Sequence, residues 1–252
     1  MWASRGIMES MSTLFIVATP IGNLGDISRR AIETLKEVDV ILAEDTRVAG
    51  GLIEKLGIKK KRVISYHQHS SEAKKLEILR LIQEGKNMAL ITDAGTPGVS
   101  DPGNELIDFI YSMGRPDAGS GIRPVPGPSA VTAALSVCGF DVSRYIFLGF
   151  MPKRKVGKVI EVIKVIKLPF VYFDSPHRVI KNLEKLREPL GERRVLVARE
   201  MTKLHETHYR GSISEVIKML SNESKLKGEI TVVVEKEKKF VSPAGVEPAF
   251  NP

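Results

Sequence analysis

Cysteine is almost missing from this sequence. Cys138 is the single one in 252 residues, so no disulfide framework can form within the chain, which suits a reducing cytoplasm. Its place in the apolar run AALSVCGF reads as core packing rather than as a nucleophile. Long apolar runs are missing as well. Nowhere do about 18 apolar residues follow one another, so no transmembrane helix is expected. The stretch MWASRGIMESMST lacks the apolar centre of a secretory signal, and residues 1–12 are expected to form a disordered leader. The tail VSPAGVEPAFNP, 241–252, has no periodicity and is expected to be disordered. There is no GxxxxGK[ST] phosphate loop and no GxGxxG fingerprint. The histidines of His205-Glu206-Thr207-His208 are three apart where a zinc protease needs four, and His67 and His69 have no further Cys or His ligand nearby. No metal is expected.

What is present begins with an uneven charge. The chain carries +8 overall, but residues 151–240 hold 21 Lys and Arg against 12 Asp and Glu, a balance of +9. The remainder holds 17 against 18, a balance of −1. A basic excess confined to one half points to a surface that meets an anionic partner, with nucleic acid the leading candidate.

Short β-rich apolar runs recur along the chain: LFIVA (14–18), VDVILAE (38–44), RVISY (62–66), NMALIT (87–92), YIFLGF (145–150), PFVYF (169–173), RRVLVA (193–198) and EITVVVE (229–235). Between them ISRRAIETLKEV, SEAKKLEILRLIQEG, PHRVIKNLEKLREPL and SISEVIKMLSNE place apolar residues three and four apart, as on one face of a helix. This alternation predicts an α/β fold. The Pro- and Gly-dense stretch RPDAGSGIRPVPGPS (115–129) predicts a junction between two α/β domains, 13–125 and 126–240.

The residues that carry chemistry cluster just after the apolar runs, where open α/β sheets bind ligands. Thr19-Pro20-Ile21-Gly22-Asn23-Leu24-Gly25-Asp26 is a glycine turn, with Asp26 expected to cap the helix that follows. Ala43-Glu44-Asp45-Thr46-Arg47 offers two acids and an arginine. Asp45 reads equally well as a helix cap paired with Arg47. Asp93 through Gly103 holds three glycines and two prolines, a rigid loop whose backbone a flat ligand can approach closely. Gly127-Pro128-Ser129-Ala130 opens the helix AVTAALSV. In the basic half, Asp174-Ser175-Pro176-His177-Arg178 and Arg199-Glu200-Met201-Thr202-Lys203 occupy equivalent places after apolar runs.

Taken in order, TPIGNLGDIS, AEDTR, DAGTPGVSDPG, PGPSA, FDSPHR, VAREMTK and KGEITVVVE resemble the tetrapyrrole (corrin/porphyrin) methylase superfamily, and within it the branch that methylates small-subunit ribosomal RNA. The blocks span nearly the whole chain. The resemblance implies two α/β domains with S-adenosylmethionine held in the cleft between them, and a homodimer. The donor site it implies falls on Pro20 and Gly22, on Asp93, Ala94, Gly95, Thr96, Pro97, Val99 and Ser100, and on Ser129 and Ala130. Thr96 stands where many superfamily members carry an aspartate, which favours the RNA-directed branch over a porphyrin or corrin substrate. The activity implied is 2′-O-methylation of a cytidine in the decoding region of small-subunit rRNA, with the rRNA or the assembled small subunit as partner.

A ribose hydroxyl is a poor nucleophile, so a positioned base assists its attack. Residue type and placement nominate Glu44, Asp45, Arg47, Glu200 and Lys203. Glu44 or Glu200 would accept the proton, and Arg47 or Lys203 would hold phosphate or the developing alkoxide. Lys153, Arg154, Lys155, Lys158 and Arg178, with Arg193 and Arg194, are candidate phosphate contacts. Two other readings stay open: C-methylation of a tetrapyrrole, whose carboxylates would meet the basic half, and a non-catalytic protein that binds RNA or the ribosome.

Overall fold

A computed structural model describes residues 12–113, 121–154 and 156–237. Lys155, the leader through residue 11, the tail from 238 and most of the RPDAGSG stretch lie outside the described residues. Ser12, assigned to the leader by sequence, is buried, and its hydroxyl donates to the carbonyl of Ile82. Two compact units emerge. One comprises residues up to Ala133 together with Glu200–Thr207; the other comprises Ala134–Arg199 and the chain from His208 onward.

The first unit is built on five parallel strands in the order β3-β2-β4-β1-β5: β1 (Leu14–Val17), β2 (Val40–Ala43), β3 (Arg62–Ser65), β4 (Met88–Ile91) and β5 (Ile122–Val125). VILA and MALI, in the two strands left of β1, are buried along their whole length, as strands covered on both faces must be. Helices α1 (Arg29–Glu37) and α2 (Thr46–Lys55) supply Ala31, Leu35, Ala49 and Ile53 to one face. Helices α3 (Glu72–Gln83) and α4 (Asn104–Ser112) supply Ile78, Leu81, Leu106 and Ile110 to the other. Connections that step one way across the sheet use one face, and those that step back use the opposite face. Right-handed crossovers require this division. Ser28, not Asp26, caps α1, its hydroxyl accepting from Ala31 N at 3.1 Å; Asp26 ends a short 3₁₀ turn instead. β5 was not expected, because Pro124 and the surrounding glycines read as a linker. It is an edge strand, where a residue without an N–H is tolerated.

The second unit carries a mixed sheet, β6-β7-β10-β8-β9: β6 (Ile146–Phe150), β7 (Phe170–Asp174), β8 (Arg194–Arg199), β9 (Thr207–Ser212) and β10 (Ile230–Val234). β6 runs parallel to β7, while β10 runs antiparallel to β7 and β8. Phe170, Tyr172, Val195, Val197, Val232 and Val234 pack beneath α6 (Val156–Ile166), α7 (Val179–Leu190) and α8 (Ile213–Ser221). α8 begins with a capping box between Ser212 and Glu215. The remaining helix, α5 (Ala130–Val137), contains the division between the units. Cys138, just past it, is fully buried, and its thiol donates to the carbonyl of Leu135. No helix among the described residues is long and apolar enough to cross a membrane.

Candidate active site

Because all five strands of the first sheet run the same way, their carboxyl ends lie along one edge. β4 and β1 are neighbours whose following helices leave toward opposite faces, which opens the crevice typical of ligand sites in such sheets. The chain stitches this crevice together. Thr19 N donates to the Gly95 carbonyl at 2.9 Å and Gly95 N to the Thr19 carbonyl at 3.1 Å, while the Thr19 hydroxyl donates to Thr92 O. Gly95 has φ 83°, which a side-chain-bearing residue rarely adopts, and it lies over Ile21. The Thr96 hydroxyl reaches across to the carbonyl of Pro128 at 3.2 Å. Loops after β1, β4 and β5 are thereby tied into one surface, and Pro20, the loop from Asp93 to Ser100, and Ser129-Ala130 lie on it.

Carboxylates gather on the same edge. Burial and the neighbouring Asp93 hold Glu44 above its ordinary proton affinity, against a smaller opposing influence from His67. Asp101 is pushed up to about 6 by burial, then by Glu44 and Asp93. Asp101 closes the DAGTPGVSDPG loop but was not among the residues nominated by sequence; its signal is its place at the far end of the same glycine loop as Asp93. Asp45 is set apart. It caps α2 by accepting from Arg47 N at 2.8 Å, and it binds the Arg47 guanidinium at 2.7 and 3.1 Å. These bonds hold its carboxyl well below the usual range. Asp45 and Arg47 therefore serve one another, and Glu44 is the stronger proton acceptor of the adjacent acids. No group of three or more potential metal ligands occurs among the described residues.

Glu200 and Lys203 belong to the segment Glu200–Thr207 that groups with the first unit. Lys203 Nζ bonds Glu200 Oε1 at 2.9 Å. A Cβ placed on Gly22 would stand 2.3 Å from Lys203 Cγ, so the lysine stem lies directly on the β1 turn. Glu200 and Thr202 both hold positive φ, 52° and 66°, and the buried Thr202 hydroxyl has no hydrogen-bond partner. Strain of this kind collects at functional sites.

The basic candidates of the second unit divide. Lys153, Arg154 and Lys158 are exposed. The other three are built into the fold. Arg178 donates to the Met151 carbonyl at 3.0 Å and to Ser175 Oγ at 3.1 Å, and it faces the buried Asp174 at 3.5 Å. Arg193 is buried, and Arg194 is bound by both oxygens of Glu235 while lying over the Phe140 ring. The sequence expected phosphate contacts from these three. Isolated from context, an arginine after a strand gives no sign of which acid or carbonyl will meet it.

The fold, the parallel sheet and its stitched carboxyl edge define a methylase architecture, and the chain belongs to the tetrapyrrole (corrin/porphyrin) methylase family, which matches residues 13–217. Cobalt precorrin-4 methyltransferase shares the fold with a TM-score of 0.66 at 20% identity, covering 90% of this chain and 95% of that one. A diphthine synthase does so at 0.68 and 17%, covering 91% and 92%. Within the family the relatives are more specific. The ribosomal RNA small subunit methyltransferase I of Thermotoga maritima is 44% identical over 225 residues, 89% of this chain and 98% of the relative. The protein of the same name from Bacillus subtilis is 40% identical over 230 residues, 90% of this chain and 76% of that one.

Proposed function

We propose that this enzyme transfers a methyl group from S-adenosylmethionine to the 2′-hydroxyl of a cytidine in the decoding region of small-subunit rRNA, in the cytoplasm and as a homodimer. The observation that carries the reading is the backbone-lined, carboxylate-bearing edge after β1, β4 and β5, in a chain whose relatives at 40–44% identity are named for small-subunit rRNA methylation. That edge fits the donor. Glu44, Asp93 and Asp101, gathered on that edge, favour a ligand bearing a sulfonium and an ammonium. Pro20, Gly22, Asp93–Ser100 and Ser129-Ala130 would hold it, and once bound it supplies an activated methyl group.

The residues of the chain then have to orient the hydroxyl and take its proton. Alignment of oxygen, methyl and sulfur can offset about 7–11 kcal/mol in well-oriented cases. Glu44, with its raised proton affinity, accepts the proton. Lys203 exchanges Glu200 for phosphate or for the developing alkoxide. Lys153, Arg154 and Lys158 contribute phosphate contacts, and Lys155 is added from its place in the same basic run.

The test supplies labelled S-adenosylmethionine with either undermethylated small ribosomal subunits or a tetrapyrrole precursor. Label in RNA, with resistance to alkaline cleavage at the modified linkage, is the expected outcome. Label in the macrocycle, or in neither, overturns it. Sedimentation of the purified chain tests the homodimer.

A further inference from the structure

Phe150 ends the edge strand β6 with 62% of its surface in solvent, an unusual place for a large apolar ring. The exposure is built. Phe147 pairs with Val171, so regular pairing would set Gly149 opposite Phe173; instead Phe150 stands there. One residue has been inserted, with Gly149 at φ 65° within the irregularity. Side chains alternate along a strand, so without the insertion Phe150 would share the face of Ile146 and Leu148, which pack on the helix-covered core. The insertion sends it to the opposite face, beside Phe173 at 5.2 Å edge-to-face, with Phe147 on Phe173 at 5.1 Å.

The backbone beyond the ring is fixed as well. Met151 N donates to the Phe173 carbonyl at 2.9 Å, and Arg178 grips the Met151 carbonyl while Ser175 and Asp174 hold its guanidinium. Lys153 and Arg154, both exposed, follow within four residues, and Lys158 is exposed on α6.

We propose that Phe150 is a stacking platform for an unpaired base of the RNA substrate, with Lys153 and Arg154 on the flanking phosphates and Arg178 as the positioning residue behind the ring. The proposal rests on the RNA reading above and adds how the strand is gripped. Single-stranded RNA is held by aromatic faces set among basic side chains. A contact between copies of the chain would bury Lys153 close to the ring in sequence, and lysine is depleted at protein interfaces.

The experiment uses the full chain and measures equilibrium binding to naked small-subunit rRNA and to undermethylated small subunits across a salt series. Phe150→Ala and Phe150→Leu are expected to weaken binding roughly 5- to 100-fold, the range of base–aromatic stacking, with an unchanged salt slope. Phe150→Trp is expected to bind as wild type. Wild-type affinity in the Ala and Leu variants, with the binding of a Lys153→Gln/Arg154→Gln variant weakened, overturns the stacking and leaves the RNA reading standing. Equal loss in Ala and Trp variants also overturns it. A shift of Phe150→Ala to a smaller species in sedimentation, with RNA affinity retained, assigns the ring to self-association. Failure of the wild-type chain to bind either RNA removes the RNA reading itself.

Discussion

The two sheets of this protein solve different problems. In the first, every strand is parallel, so each strand's carboxyl end delivers its loop to the same edge. The loops after β1, β4 and β5, far apart in sequence, thus meet around the hydrogen bonds that Thr19 and Gly95 exchange. In the second, antiparallel pairing sends loops to both ends. No single edge collects them, and what the sheet presents instead is a strand edge with a displaced phenylalanine and a run of cations. The acids Glu44, Asp93 and Asp101 gather on the parallel sheet's edge, and the exposed cations Lys153 and Arg154 follow a strand of the mixed one. Parallel topology concentrates chemistry, and mixed topology offers surface.

Variants can break that contrast, and the largest effect belongs to the parallel edge. Glu44→Gln keeps the shape of the side chain and removes the base; single-turnover methyl transfer is expected to fall roughly 100- to 10,000-fold, the span of general base catalysis. A near wild-type rate would move the proton elsewhere. Gly95→Val forces a β-branched residue to φ 83° and disrupts the exchange with Thr19; the folded state should lose roughly 1–2 kcal/mol, read by denaturant unfolding, and donor affinity measured by calorimetry should fall as the loop shifts.

On the mixed sheet, Lys153→Gln with Arg154→Gln should reduce the slope of log affinity against log salt by about 1.4–1.8, two phosphates' worth. Arg178→Gln should weaken RNA binding without altering that slope, because its guanidinium holds Met151 rather than phosphate. A slope reduced by about one would make it a phosphate contact after all.

The smallest effect is a matter of pH. Asp101 is raised from 3.8 to about 6 in the folded state, so between those values the folded chain binds more protons than the unfolded one. Stability therefore falls as pH rises through that window. Asp101→Asn removes the cost; its Tm should exceed wild type by roughly 2–4 °C at pH 8 and match it below pH 4. Equal Tm values at pH 8 would show that solvent screens the cluster.

Much of the fold was legible because its signals are local. Eight apolar runs became eight strands, and ISRRAIETLKEV and SEAKKLEILRLIQEG became α1 and α3. The two strands that escaped have physical reasons. IRPV carries a proline that only an edge position tolerates, and THYRGS buries little beyond Tyr209. Neither pattern reads as a strand until its neighbour is known. The residue types of the candidate site are local signals too: glycine loops and acids after apolar runs are visible in one dimension. Their pairing is not, which is why Asp101 was missed and why Asp45 and Arg47 stood level with Glu44.

By itself the sequence determined the α/β alternation, the strand-end loops, the confinement of positive charge to one half, and the family. Those follow from periodicity, composition and the order of motifs. Only the tertiary structure decided which charges are available. Arg178 and Arg194 are held by partners within the fold and Arg193 is buried, Lys203 comes to rest on Gly22, and a one-residue insertion in β6 turns Phe150 outward. Each of these depends on contacts between residues distant in the chain, whose free energies exist only once the sheets have formed.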